Sequence, residues 1–187
     1  MLSNRADAYG LERAASAGVA SSVVDHRAFA TREAFDAAIQ AELERHGVEL
    51  ICLAGFMRIL TTPFVEHWRD RMLNIHPSLL PAFKGLHTHG RALAEGCAVA
   101  GCTVHLVRPE LDSGPILVQG VAPVHPDDDA EFLAARVLQL EHRCYPAALA
   151  MLAAGRIMVE AERARLTNER PGERLILHPD LLDPRKA

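Results

Sequence analysis

Asn74 and His76 stand two positions apart at the end of an apolar run, inside LNIHPSLLPAFKGLHTH (73–89). On a strand, residues i and i+2 leave the same face, so the amide and the imidazole would emerge side by side. That pair suits a carbonyl reaction, in which the amide donates to a developing oxyanion and the imidazole moves a proton. The alternative is a pair of polar residues closing a strand before Pro77. Asp112 lies in ELDSGPI, a glycine-containing turn ahead of another apolar run. A carboxylate close to His76 would stabilise the charged imidazole; a turn aspartate bonding its own backbone is the competing reading. His87 and His89 have the HxH spacing found in some metal sites. No third ligand follows at a telling distance, hydrogen bonding in the loop after Gly85 serves equally well, and no metal is expected. Arg58, in GFMRIL, follows a strand-like run, where it either meets an acidic ligand or lies at the surface.

The elements that must position these residues are legible as alternating apolar patterns. VELICLAG (48–55) is apolar on both faces, as in a strand covered on two sides. Residues 71–76, 102–107 and 116–124 form three further strand patterns, and helical patterns fill 7–17, 31–46, 62–68, 89–95 and 127 to about 154. Thr31 is placed to cap its helix, Asp127, Asp128 and Asp129 put negative charge where a helix start favours it, and Gly155 is a natural stop. Strands alternating with helices predict an α/β fold with a mainly parallel sheet flanked by helices. In such sheets ligands bind outside the carboxyl ends of the strands, where Asn74 and His76 fall. Residues 167–187 differ, being rich in Arg, Glu and Pro, and read as a tail that forms an appended hairpin or stays loosely ordered.

Composition narrows the function classes. The chain has 187 residues, net charge −4 and no long run of Lys or Arg, so it lacks the positive footprint of a nucleic-acid binder. No stretch reaches the roughly 20 apolar residues of a membrane span, and the N-terminus has no apolar signal-peptide core. The cysteines at 52, 97, 102 and 144 show neither a CxxC pair nor finger spacing, which suits a reduced, cytoplasmic protein.

Longer stretches carry a resemblance. LAGFMRIL (53–60), LNIHPSLLP (73–81), GLHTH (85–89) and ELDSGPI (110–116), together with SNRADAYGLERA near the start and LEHRCYP later, resemble the phosphoribosylglycinamide formyltransferase family. The likeness runs from residue 3 to about 155 and implies a Rossmann-like formyltransferase fold. It implies transfer of a formyl group from 10-formyltetrahydrofolate, a co-substrate, to glycinamide ribonucleotide in purine (IMP) biosynthesis. It also implies small-molecule substrates, no metal, and a monomer or homodimer. By motif, the family's catalytic residues fall on Asn74, His76 and Asp112. Its folate pocket falls on Arg32, Met57, Arg58, Ile59, Leu60, Asn74, Arg108, Pro109, Glu110, Leu111 and Asp112. Its glycinamide ribonucleotide contacts fall on Leu138, Gln139, Leu140 and Glu141. The catalytic domain then covers 1–166 and the tail 167–187.

The same resemblance carries one departure. The family opens with a strand, a Gly-rich turn and a helix before reaching SNRADA, roughly 25 to 35 residues by ordinary element lengths. The turn would offer backbone N–H groups to a substrate phosphate, and the strand is expected beside the one bearing Asn74 and His76. Weak or absent turnover is therefore expected of residues 1–187 by themselves. Formyltetrahydrofolate deformylase, a hydrolase sharing the catalytic domain, is the alternative enzyme, and a non-catalytic fragment is the alternative of another class.

Overall fold

The computed structural model describes residues 1–182, which divide into two compact units. The first comprises Met1–Glu49 and Met57–His67. It contains β1 (Leu2–Ser3), α1 (Tyr9–Ser16), β2 (Ser22–Val23), α2 (Arg32–Arg45) and α3 (Thr62–His67), with β1 and β2 paired in parallel. Thr31 caps α2 as expected, its hydroxyl accepting from the Ala34 N–H at 3.2 Å. Asp36, buried on α2, accepts from the Thr61 N–H at 2.7 Å and so serves a donor at the start of α3. Phe35, Ile39, Phe64 and Val65 form the apolar interior of this unit.

The second unit, Leu50–Phe56 and the chain from Trp68 onward, holds the main sheet. Its elements are β3 (Ile51–Cys52), β4 (Met72–His76), α4 (Thr88–Ala94), β5 (Val99–Leu106), β6 (Ile116–Pro123), α5 (Ala130–Ala153), β7 (Ile157–Glu160), β8 (Arg163–Leu166) and β9 (Leu175–Leu177). The sheet runs β3-β4-β5-β6-β9, while β7 and β8 form a separate hairpin. Parallel pairing joins β3 to β4 and β6 to β9, as it joins β1 to β2. The long β5 is the antiparallel member, pairing that way with both β4 and β6. The α/β architecture with a helix-flanked sheet is thus in place, with one antiparallel strand at its centre.

Helix α5 covers β5 and β6 because its apolar residues recur every three or four positions. Leu133, Val137, Leu140, Cys144, Ala148 and Met151 are all buried along one stripe. Asp129 caps its start, accepting from the Glu131 and Phe132 N–H groups at 2.8 Å each. It ends in a left-handed Gly155 (φ 63°), with the Gly155 N–H on the Leu152 carbonyl and the Arg156 N–H on that of Met151, the doubled bonding of a glycine-stopped helix.

Three expectations need correction. The strand expected over 48–55 is only Ile51–Cys52, with Cys52 exposed, because β3 lies at the edge of this sheet and has one strand neighbour. A strand absent from beside β4 is not what the pairing has: β4 is bonded to β3 on one side and β5 on the other. Nor does a tail begin at 167, since Leu175–Leu177 pairs with Gln119–Val121 and extends the sheet. Residues 183–187 of that expected tail lie outside the described residues.

Two glycines separate packing from propensity. A Cβ on Gly101 of β5 would sit 1.8 Å from the Gly120 carbonyl oxygen, whereas one on Gly90 of α4 would meet nothing within 4 Å. Gly101→Ala should cost about 3 kcal/mol, the upper end of overpacking penalties, because backbone must move. Gly90→Ala should gain roughly 0.5–1 kcal/mol from helix propensity. Denaturant titration of the two variants measures both signs.

Candidate active site

The carboxyl end of β4 presents Asn74 and His76 on one face, as their spacing predicts, and the antiparallel register sets them against β5. Asn74 lies opposite His105 and His76 opposite Thr103. The pairing of β5 with β6 shifts register between Val104 and His105, an irregularity of the kind that re-aims side chains beside functional sites.

His76 is buried and held at both nitrogens. Its Nε2 lies 2.9 Å from the Phe83 carbonyl oxygen, which can only accept, so Nε2 carries a proton. Its Nδ1 lies 3.4 Å from Asp112 Oδ2. Asp112 is buried too, in a left-handed conformation (φ 49°), and its Oδ2 also accepts from the Gly85 N–H at 2.9 Å. The turn-aspartate alternative fails on this point: Asp112 serves a backbone amide 27 residues away.

His105 completes the cluster. Its Nδ1–H donates to the Leu106 carbonyl at 3.0 Å, leaving Nε2 toward Asn74 Nδ2 at 3.4 Å and Asp112 Oδ1 at 4.0 Å. Burial lowers the His105 pKa from its ordinary value, more than the Leu106 carbonyl and Asp112 raise it, so the neutral ring is favoured. Reading the residues singly missed His105, although a signal was present: Thr103 and His105 are polar residues two apart in an otherwise apolar strand. Thr103 anchors the loop over His76. Its hydroxyl donates to the Ser78 carbonyl at 2.7 Å and accepts from the Leu80 N–H at 3.0 Å, and Gln119 Nε2 reaches both Thr103 Oγ1 and the Leu80 carbonyl.

The remaining expected residues divide. Arg32, Met57, Arg58, Ile59 and Leu60 belong to the first unit, where Arg58 lies over the Phe35 ring at 5.4 Å and Met57 and Ile59 are exposed. Asn74 and residues 108–112 belong to the second. Pro109, Glu110 and Leu111 are exposed, and the Arg108 side chain is enclosed by Asp70 and Glu162. The Arg108 fork is thereby committed to Asp70 and Glu162, which leaves its backbone for the folate contact that the resemblance implies. On α5, Leu138 and Gln139 are exposed, and the Leu140 side chain is fully buried in the core. Glu141 is half-buried, and desolvation raises its carboxyl pKa, partly offset by His142. His87 is exposed and His89 half-buried, the latter's pKa lowered by burial and by His76. Among the described residues no group of three or more His, Cys, Asp or Glu could hold a metal ion, and no helix is long and apolar enough to cross a membrane.

This arrangement can polarise a carbonyl with an amide donor and move a proton between an imidazole and a carboxylate. Comparison with known proteins gives it a context. A family model described as formyl transferase matches residues 1–149. The trifunctional purine biosynthetic protein adenosine-3 of Gallus gallus is 49% identical over 159 residues, which cover 85% of this chain and 16% of that protein. The chain thus spans about a sixth of that relative's length, or less of the Drosophila melanogaster one (12%). Phosphoribosylglycinamide formyltransferase of Escherichia coli K12 is 44% identical over 170 residues, 91% of this chain and 80% of that protein. Among solved structures, glycinamide ribonucleotide transformylase 1 from Symbiobacterium toebii superposes with a TM-score of 0.87 at 49% identity, covering 89% of this chain and 79% of that one. The Coxiella burnetii phosphoribosylglycinamide formyltransferase gives 0.86 at 42% identity, covering 95% and 84%.

A pH test follows from the burial of His105. Since its folded pKa lies below the ordinary 6.5, the stability it contributes is complete above that pH and is lost as pH falls below it. Between about pH 7.5 and about pH 5.5, denaturant titration should show the wild-type chain losing more stability than His105→Gln. Equal losses in the two proteins would remove the buried, neutral assignment.

Proposed function

The chain belongs to the formyl transferase family, among relatives named phosphoribosylglycinamide formyltransferase, and from that we infer that it transfers a formyl group from 10-formyltetrahydrofolate to the amine of glycinamide ribonucleotide. The observation that carries this reading is the convergence of half-buried Asn74 with buried His76, His105 and Asp112 in one cluster of the second unit. The substrate amine attacks the formyl carbon and its carbonyl oxygen becomes an oxyanion. Asn74 Nδ2 is the donor for that oxygen. Because Nε2–H of His76 is committed to the Phe83 carbonyl, Nδ1 is the nitrogen that works, with Asp112 beside it. The amine proton leaves toward Asp112, the imidazole Nδ1 supplies a proton to the folate nitrogen as the carbon–nitrogen bond breaks, and Asp112 returns the amine's proton to Nδ1 across 3.4 Å. Atoms balance without a covalent enzyme intermediate: one N–H is lost by the amine and one gained by the folate.

Substrate-binding roles for Arg32, Met57–Leu60 and Pro109–Asp112 toward the folate rest on the resemblance, supported by the exposure of Met57, Ile59 and Leu111 as apolar surface. For glycinamide ribonucleotide, Glu141, Leu138 and Gln139 are the residues with reach, and Glu141 is the acceptor for ribose hydroxyls or the amine. Four free thiols support a reducing, cytoplasmic setting. The enzyme acts as a monomer or homodimer on small molecules.

The test incubates the chain with 10-formyltetrahydrofolate, with and without glycinamide ribonucleotide, following formylated product and free formate separately. Formylated product is expected, at no more than a weak rate for residues 1–187 by themselves; formate alone would reassign the site to hydrolysis. Whatever turnover residues 1–187 sustain should fall on the order of 100-fold or more in Asn74→Ala and His76→Ala, the range for losing an oxyanion donor or a proton-transfer group. Near-normal rates in both variants would sink the assignment.

A further inference from the structure

The loop joining β5 to β6 delivers Asp112, and arginines grip both of its ends. On the β5 side the Arg108 side chain is only 7% exposed. Its Nη2 donates to Asp70 Oδ1 at 2.7 Å, its Nε to Glu162 Oε2 at 2.5 Å and its Nη1 to the Val107 carbonyl at 3.1 Å. On the β6 side, Arg174 Nε donates to the Leu117 carbonyl at 2.8 Å, Nη2 to that of Ile116, and Nη1 to the Ala164 carbonyl of β8 at 2.9 Å. Glu162, Ala164 and Arg174 all lie beyond residue 149, where the family match ends.

We propose that residues 157–177 brace the Asp112 loop, with Arg108, Glu162 and Arg174 acting as positioning residues for formyl transfer. The proposal rests on the role given to Asp112 above. Each arginine joins separate chain segments to one end of the loop: Arg108 ties the β5 exit to the Asp70 turn and the β7–β8 turn, and Arg174 ties the start of β6 to β8. A planar fork with several donors can hold such a junction in one geometry, which a lysine's single ammonium cannot. The loop needs outside restraint. Asp112 adopts φ 49°, Glu110 and Leu111 beside it are exposed, and its carboxylate is met by the Gly85 amide at 2.9 Å and by His76 Nδ1 at 3.4 Å, both from outside the loop. Gly114 closes the loop against β5 so tightly that a Cβ there would lie 1.8 Å from the Leu106 carbonyl oxygen. Small displacements at either end therefore pass to Asp112.

Glu162→Gln and Arg174→Lys are the test variants, the first chosen because the Glu162 side chain is 51% exposed and glutamine keeps an acceptor oxygen for Arg108 Nε, so the fold should stand. Expected in both are a kcat lowered on the order of tenfold, an unchanged KM for glycinamide ribonucleotide and a displaced pH profile of kcat, as for a catalytic group moved by a fraction of an ångström. Hydrogen exchange at the Gly85 amide should quicken, because that N–H reports where the Asp112 carboxylate sits whether or not the chain turns over. Wild-type Gly85 exchange in both variants would overturn the brace, as would a lowered Tm with exchange and pH profile unmoved. Faster Gly85 exchange with kcat intact would keep the brace and overturn the role of Asp112 instead, so the two readings fail separately.

Discussion

The register between β4 and β5 governs the chemistry, because it decides which side chains face one another. With Leu73 paired to Leu106 and Ile75 to Val104, the apolar residues of both strands go to one face, and Asn74, His76, Thr103 and His105 go to the other. Leu73, Val104 and Leu106 are completely buried. Burying such a side chain contributes about 1.5–3 kcal/mol, and a one-residue slip would exchange the faces and forfeit all of it. The polar cluster is therefore aligned by residues that take no part in it. The hydrophobic effect, which has no direction of its own, sets a geometry through the two-residue period of the strand.

On that base the site is completed by backbone in unusual conformations. Phe83, His87 and Asp112 all have positive φ, between 49° and 57°. Such conformations cost of order 1–3 kcal/mol each for residues that do not favour them, and they persist only where surroundings over-determine them. For the Phe83 stretch the surroundings are visible. Thr103 and Gln119, from neighbouring strands, bond the Ser78 and Leu80 backbone, and Ser78 Oγ bonds the Ala82 carbonyl at 2.6 Å. That scaffold fixes the Phe83 carbonyl on His76 Nε2, and so fixes which imidazole nitrogen remains for chemistry. A buried hydroxyl and a half-buried amide beneath the site thus determine a tautomer above it.

Much of this could be read in the chain, and the reason is local. Asn74 and His76 betray themselves by alternation, Thr31, Asp129 and Gly155 by cap chemistry, and α5 by its apolar stripe; each signal lies within one element. What stayed hidden depends on pairing between distant segments. His105 was passed over because its meaning comes from lying opposite Asn74. Residues 48–55 looked like a strand buried on both faces, but burial depends on neighbours and β3 has one in this sheet. Leu140 matched a binding motif, while the direction of its side chain is set by its helix face, which is the core. Residues from 167 onward read as an appended hairpin or a loosely ordered tail because charge and proline dominate them, while Leu175–Leu177 found an open edge on β6.

Arg108 shows the same lesson in energetic form. A motif match made it a candidate for ligand contact, yet its side chain is enclosed while Asp70 and Glu162, its partners, are about half exposed. Ion pairs between fully exposed groups are worth little, about 0–1 kcal/mol, but a buried guanidinium deprived of its acceptors carries a desolvation penalty of several kcal/mol. The arrangement is consequently more sensitive to being incomplete than it is stabilising when complete. Arginine 108 must keep both turns close, and the exit of β5 must follow. The carboxylate proposed as catalytic, on a loop with two exposed residues beside it, gains definition in this way from the turn before β4 and from a hairpin beyond the family match. Precision at Asp112 is then a property of the second unit's far edge as much as of the site itself.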